Sequence, residues 1–118
     1  MRVNYVIAFV SDMKRAVSFY RDTLGFPLKF ESPGWTEFAS DGATIALHAS
    51  KSSDPDGDDL PPGSCRPGLR VPDLDEFHQR MLAANVRCIQ EPQELFGARI
   101  AQYADPDGLT FSVGEERR

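Results

Sequence analysis

Two cysteines, two histidines and one tryptophan are a thin supply of the residues that most often build metal centres, disulfide frameworks and stacking platforms. With so few cysteines a disulfide scaffold is excluded. Cys65 and Cys88 read as two free thiols of a reducing compartment. Basic residues are also scarce, 13 Lys and Arg against 18 Asp and Glu, for a net charge of -5. Such a surface cannot neutralise a phosphate backbone, so nucleic acid is excluded as a partner. Mild acidity is compatible with a cationic ligand, but more often it serves only solubility. No apolar stretch nears the ~20 residues of a membrane helix. The chain enters strand pattern at once, with no apolar signal core, so the expected address is the cytoplasm, with no membrane partner.

What the chain does have is one pattern written twice. Val10-Ser11-Asp12-Met13 opens an amphipathic stretch, and Val71-Pro72-Asp73-Leu74 opens another 61 residues on. Asp41-Gly42-Ala43-Thr44 leads into one strand, and Asp107-Gly108-Leu109-Thr110 into another 66 residues on. In the first copy, Val3 to Val10 has strand composition. Ser11 or Asp12 caps a helix with Met13, Val17, Tyr20 and Leu24 at helical spacing, ended by Gly25. Short strands follow at Leu28–Glu31, Trp35–Ala39 and Ala43–His48. In the second copy the strand is Arg66–Val71, and the helix runs from the Asp73 cap to about Ala84. Three strands then follow at Arg87–Gln90, Ala98–Ala104 and Leu109–Val113. The expected fold is α+β: a single domain, residues 1–118, of two tandem βαβββ modules at 1–49 and 65–114. Residues 50–64, with four Asp and three Pro, form a solvated linker, and 115–118 a frayed tail. The linker's Asp cluster lacks the alternation and terminal Glu of a calcium loop.

Strand alternation sorts the side chains into two faces. Val6, Ala8, Val10, Ile45, Leu47, Leu69, Val71, Phe111 and Val113 suit packing under helices. Tyr5, Ile7, Phe9, His48, Arg66, Gly68, Arg70, Thr110 and Ser112 fall on a second, mixed face. Four-residue loops at the two Asp-Gly turns would set Trp35 and Glu37 opposite Ala46 and Thr44. They would likewise set Ala101 and Tyr103 opposite Ser112 and Thr110.

The segments VSDMKRAVSFYRDTLGF (Val10–Phe26) and YADPDGLTFSVGE (Tyr103–Glu115), within the repeat, resemble the vicinal oxygen chelate superfamily of glyoxalases, bleomycin resistance proteins and extradiol dioxygenases. The resemblance covers essentially the whole chain. It implies a curved mixed sheet around a cleft, helices on the outer face, and commonly a homodimer. It also implies four metal-ligand positions, usually His, Glu or Gln, which fall here on Tyr5, Ala46, Arg66 and Ser112. A phenol, a methyl, a guanidinium and a hydroxyl are not the ligands of a catalytic divalent ion. No cofactor is therefore expected, a divalent metal is disfavoured, and no catalytic or metal residue is assigned.

The expectation is a binding protein for a small molecule, an antibiotic or metabolite, held by Tyr5, Phe9, Trp35 and Tyr103 with polar anchors Glu37, His48, Arg66, Thr110 and Ser112. Two alternatives stay open: a metal-dependent lyase or isomerase using an unusual set around His48 and Glu37, and a structural or regulatory dimer with a filled cleft. Blander readings stand beside each residue. Arg66 could pair with Glu37 or face solvent, Trp35 could be a core or interface aromatic, and His48 a hydrogen-bonded structural histidine. His78 would lie on the surface, and Asp105 and Asp107 would serve their turn.

Overall fold

The computed structural model describes residues 1–51, 60–95 and 97–116. The heart of the expected linker, 52–59, and the end of the tail lie outside the described residues. The element order is β1 (Arg2–Val10), α1 (Met13–Ser18), β2 (Leu28–Glu31), β3 (Trp35–Phe38), β4 (Thr44–Ala49), β5 (Cys65–Val71), α2 (Leu74–Ala83), β6 (Arg87–Leu95), β7 (Ala98–Ala104) and β8 (Thr110–Glu115). The fold is therefore α+β, with β-α-β-β-β repeated. None of the described helices is long and apolar enough to cross a membrane. The chain divides into two compact units, Tyr5–Cys65 and Arg66–Arg118 together with Met1–Asn4.

Both helices start for the same reason. The Asp12 carboxylate accepts from the Arg15 backbone N–H at 3.2 Å, and that of Asp73 accepts from Glu76 N–H at 3.1 Å, each satisfying a donor that no helical carbonyl can reach. They end alike as well. Asn85 takes a left-handed φ of 59°, so that Val86 N–H returns to Met81 O at 3.0 Å. In the first unit α1 widens at its end into a π-helical turn, Phe19–Thr23, which the helical spacing did not foretell. Gly25, at φ 86°, then supplies the left-handed residue, and Phe26 N–H returns to Tyr20 O at 3.0 Å, one residue further than in the second unit.

In the first unit the strand order is β2-β3-β4-β1, and in the second β5-β8-β7-β6. β1 runs parallel to β4 with Ile7 beside Ala46 and Phe9 beside His48. β5 runs parallel to β8 with Gly68 beside Ser112 and Arg70 beside Gly114. These pairs are related by the same offsets of 61 and 66 residues that the motifs show, so the repeat extends to strand register. Each helix covers one sheet face. Val17, Phe38 and Leu47 form one core with Ala8, Val10, Met13 and Ile45 against them. Leu74, Phe77, Val71, Ala101, Tyr103 and Val113 form the other, with Leu69, Met81 and Phe111.

Replacing either cap, Asp12→Ala or Asp73→Ala, should cost about 1 kcal/mol of unfolding free energy. Chemical denaturation of the two variants checks this, and similar losses are expected because each carboxylate makes the same bond to the same position.

Candidate functional site

The face of each unit turned away from its helix carries the chemistry. In the first unit, β1, β4 and β3 lay Tyr5 beside Thr44, Ile7 beside Ala46 and Glu37, and Phe9 beside His48 and Trp35. Trp35 was expected opposite Ala46 but lies opposite His48. The register is shifted by two residues, and an even shift keeps every side chain on its face. The result is a continuous aromatic array. Ring centroids are 5.0 Å apart for Phe9 and His48, and 6.1 Å for both Trp35–His48 and Tyr5–Trp35, the latter two edge-on. Phe9 is 1% exposed and packs with Ile7, Ala46 and Leu60, whereas Tyr5, Trp35 and His48 stay half-buried. Trp35 Nε1–H donates to Glu37 Oε2 at 2.8 Å, and Lys29 Nζ lies 3.9 Å from Glu37 Oε1. Five sequence-predicted residues, Tyr5, Phe9, Trp35, Glu37 and His48, thus share one surface.

In the second unit the outcome is mixed. Arg66 does not face solvent. It is 5% exposed and its Nε–H donates to Thr110 Oγ1 at 3.2 Å. Ser112 shares that face beside Gly68. Tyr103, expected opposite Thr110 among the ligand-facing residues, lies opposite Phe111 on the helix side. Here five residues separate the paired ends Ala104 and Thr110, an odd number, and the one-residue slip exchanges faces. The loop takes this length because Asp105 Oδ1 accepts from both Asp107 and Leu109 N–H, at 2.9 and 2.8 Å, while Gly108 turns through a φ of 89°. Tyr103 is consequently 0% exposed, stacked on Phe111 and edge-on to Phe77, with its hydroxyl 2.9 Å from His78 Nδ1. His78 is therefore the polar partner of a core tyrosine rather than a free surface group. β6, longer than expected, brings Gln90 beside Gln102, and Gln102 beside Ser112. The expected register had left Gln102 off this face. The signal that finds it is the Asp at the start of ADPDGL, whose side chain builds the five-residue loop.

Cys65 and Cys88 are both free, and burial followed by the charge of Glu91 raises the Cys88 thiol above its ordinary range. Grooves also lie elsewhere. One, of about 580 Å³, sits among Asp73, Asp75, Arg99 and Glu115, where Arg99 Nη2 already donates to Asp75 at 2.8 Å. Another, of about 570 Å³, runs along α1 past Val6, Arg15 and Phe19. Among the described residues no three His, Cys, Asp or Glu side chains come together in a metal-holding group.

With fold and faces in view, the comparisons with known proteins fall into place. The family model for the glyoxalase/bleomycin resistance protein/dioxygenase superfamily matches residues 2–113, and the chain belongs to that superfamily. Among solved structures it is similar to methylmalonyl-CoA epimerase from Mycobacterium tuberculosis, at 25% identity over 98% of this chain and 88% of that one, with a TM-score of 0.77. It is similar to a glyoxalase/bleomycin resistance protein/dioxygenase superfamily member from Vibrio splendidus 12B01, at 24% identity over 98% of both chains, TM-score 0.67. It also resembles a structure described as the NAD-dependent benzaldehyde dehydrogenase of Legionella pneumophila, at 19% identity over 97% and 99% of the chains, TM-score 0.75. The last two likenesses show the fold alone. No curated protein matches the chain.

Burial, with a smaller contribution from Cys88, pushes the Tyr103 phenol up to about 12. An unfolded tyrosine ionises near 10, so the folded chain holds this proton more tightly. The stabilisation is complete below pH 10 and is lost as pH rises toward 12. In an alkaline titration followed by phenolate absorbance, one of the three tyrosines should ionise late and together with unfolding. In Tyr103→Phe that late step should disappear, at a cost of about 1 kcal/mol for the lost hydroxyl bond.

Proposed function

We propose that the chain is a metal-independent binding protein for a small planar molecule, gripped by the aromatic face of the first module. The observation that carries this reading is the array of Tyr5, Trp35, His48 and Phe9, with Glu37 fixed by the Trp35 indole at its edge. The partly exposed rings of Tyr5, Trp35 and His48, backed by the buried Phe9, offer π-faces and ring edges to a flat ligand, each good aromatic contact contributing about 0.5–1.5 kcal/mol. Metal independence is supported by the donor chemistry at the positions that the family resemblance assigns to ligands. In the first module these are the Tyr5 phenol and the fully buried Ala46 methyl. In the second they are Ser112 and the Arg66 guanidinium, a fixed cation already engaged with Thr110. Such a set does not fit a catalytic divalent ion. The reading carries with it a homodimer, taken from the family resemblance, acting in the cytoplasm, the address expected from the lack of an apolar signal core. Sedimentation at micromolar concentration checks the first.

The likeness to methylmalonyl-CoA epimerase favours a second reading, an isomerase or lyase that assembles a non-standard metal set around His48 and Glu37.

The lone tryptophan makes the choice measurable. Flat aromatic compounds should change Trp35 emission saturably and raise the melting temperature, since a ligand of the folded state stabilises it. Trp35→Ala should weaken that binding by about 3–10-fold, the size of one aromatic contact, and EDTA should not alter it. A stoichiometric divalent ion in chelator-free protein, lost together with turnover in His48→Ala, would decide for the enzyme.

A further inference from the structure

Position by position, the second module's helix-free face replaces the first module's rings with polar groups and glycines. Arg70 stands where Phe9 stands, beside Gly114 where Phe9 has His48. Gly68 and Ser112 replace Ile7 and Ala46, and Gln102 takes the place of Glu37. A Cβ built on Gly114 would meet nothing closer than two backbone oxygens at 3.9 Å, so the glycine leaves free the space next to its Cα that a side chain would take. Around this floor three side-chain atoms are buried with no hydrogen-bond partner among the described residues: Arg70 Nε, Gln102 Oε1 and Gln90 Nε2. Gln102 is only 8% exposed. Among the described residues the Arg70 side chain makes no hydrogen bond or ion pair. A buried donor or acceptor left unmade is costly, and more so for a charged group, so three on one face call for an external partner.

We propose that this face is a site for a hydroxy-carboxylate group. Arg70, with the Ser112 hydroxyl, donates to the carboxylate, and Gln102 Oε1 accepts from a hydroxyl on the adjoining carbon. β5 and β7 flank β8, so Arg70 and Gln102 rise from strands roughly 10 Å apart. Between them lie only Ser112 and Gly114, a gap that a two- or three-carbon acid spans once both long side chains reach inward. A guanidinium suits a carboxylate by geometry as well as charge. The inference rests on the reading of the chain as a ligand binder and assigns a separate polar site to the second module's own face.

The test uses the full chain and lactate, with propionate and lactamide as controls, followed by NMR of the arginine Nε–H and glutamine side-chain amide signals. Lactate should shift the Arg70 and Gln102 signals saturably in the millimolar range. Propionate, lacking the hydroxyl, and lactamide, lacking the charge, should each bind roughly tenfold more weakly or worse, as loss of one charge-assisted or buried hydrogen bond implies. Arg70→Gln should abolish the response, and Arg70→Lys should weaken it because the Nε–H is lost. Arg21→Gln, at an exposed position, should leave lactate binding unchanged, and lactate shifts that persist where flat compounds leave Trp35 emission unaltered separate failure of the aromatic reading from failure here. No saturable shift in the unaltered protein, equal binding of lactamide, or binding that survives Arg70→Gln in a folded variant would overturn the proposal.

Discussion

The parity of strand register governs this molecule. Each unit has one helix and so can bury one sheet face beneath it. Burying the side chains of Val17, Phe38 and Leu47 in one core, and of Leu74, Tyr103 and Val113 in the other, contributes about 1.5–3 kcal/mol for each of the larger apolar groups. That gain commits alternate residues on every strand to the helix. The remaining residues have no helix to cover them, whatever their chemistry. A slip of one residue in any strand would exchange the two sets, so the same energetics that fix the core also fix which side chains are left over for recognition.

The leftover sets differ between the repeats, and the difference follows from a few substitutions on a shared frame. Register pairs in the two units coincide under the repeat offsets, so Tyr5 and Arg66, Phe9 and Arg70, His48 and Gly114 are structural counterparts. One face is consequently built of rings and the other of guanidinium, amide and hydroxyl groups. The repeated frame thus carries two chemically distinct faces on the same caps and strand order. Both helices keep an aspartate bonded to the third residue beyond it. Both keep a left-handed residue at their ends, although one is Gly25 and the other Asn85. Asparagine tolerates that conformation because its short polar side chain adds little steric cost.

How much of this the sequence discloses depends on whether an error in counting is even or odd. Helices, strands and the two apolar faces are legible because amphipathic period and capping residues are local properties. In the first hairpin the expected pairing misses by two residues, and the whole set of Tyr5, Phe9, Trp35, Glu37 and His48 still lands on one face. In the second it misses by one, so Tyr103 moves into the core and Gln102 takes its place. The information was present in Asp105, whose carboxylate organises the loop, but a turn's residue count depends on side-chain hydrogen bonds that a hydropathy pattern does not weigh. The π-helical turn at Phe19–Thr23 escapes for a similar reason. It adds one residue to a turn without changing which residue types are apolar.

Tyr103 and Gln102 also show opposite answers to one physical demand. Each places a polar atom where water cannot reach it easily. The Tyr103 hydroxyl is answered from within the chain by His78, so its burial is compatible with a well-packed core. The Gln102 carbonyl and the Arg70 Nε–H have no such answer among the described residues. A leucine at either position would remove the penalty, and one unmade bond costs about 1–3 kcal/mol against a total stability of only about 5–15 kcal/mol. Two such groups on one face are what the proposed recognition surface rests on, a physical ground independent of what relatives of this fold are named for.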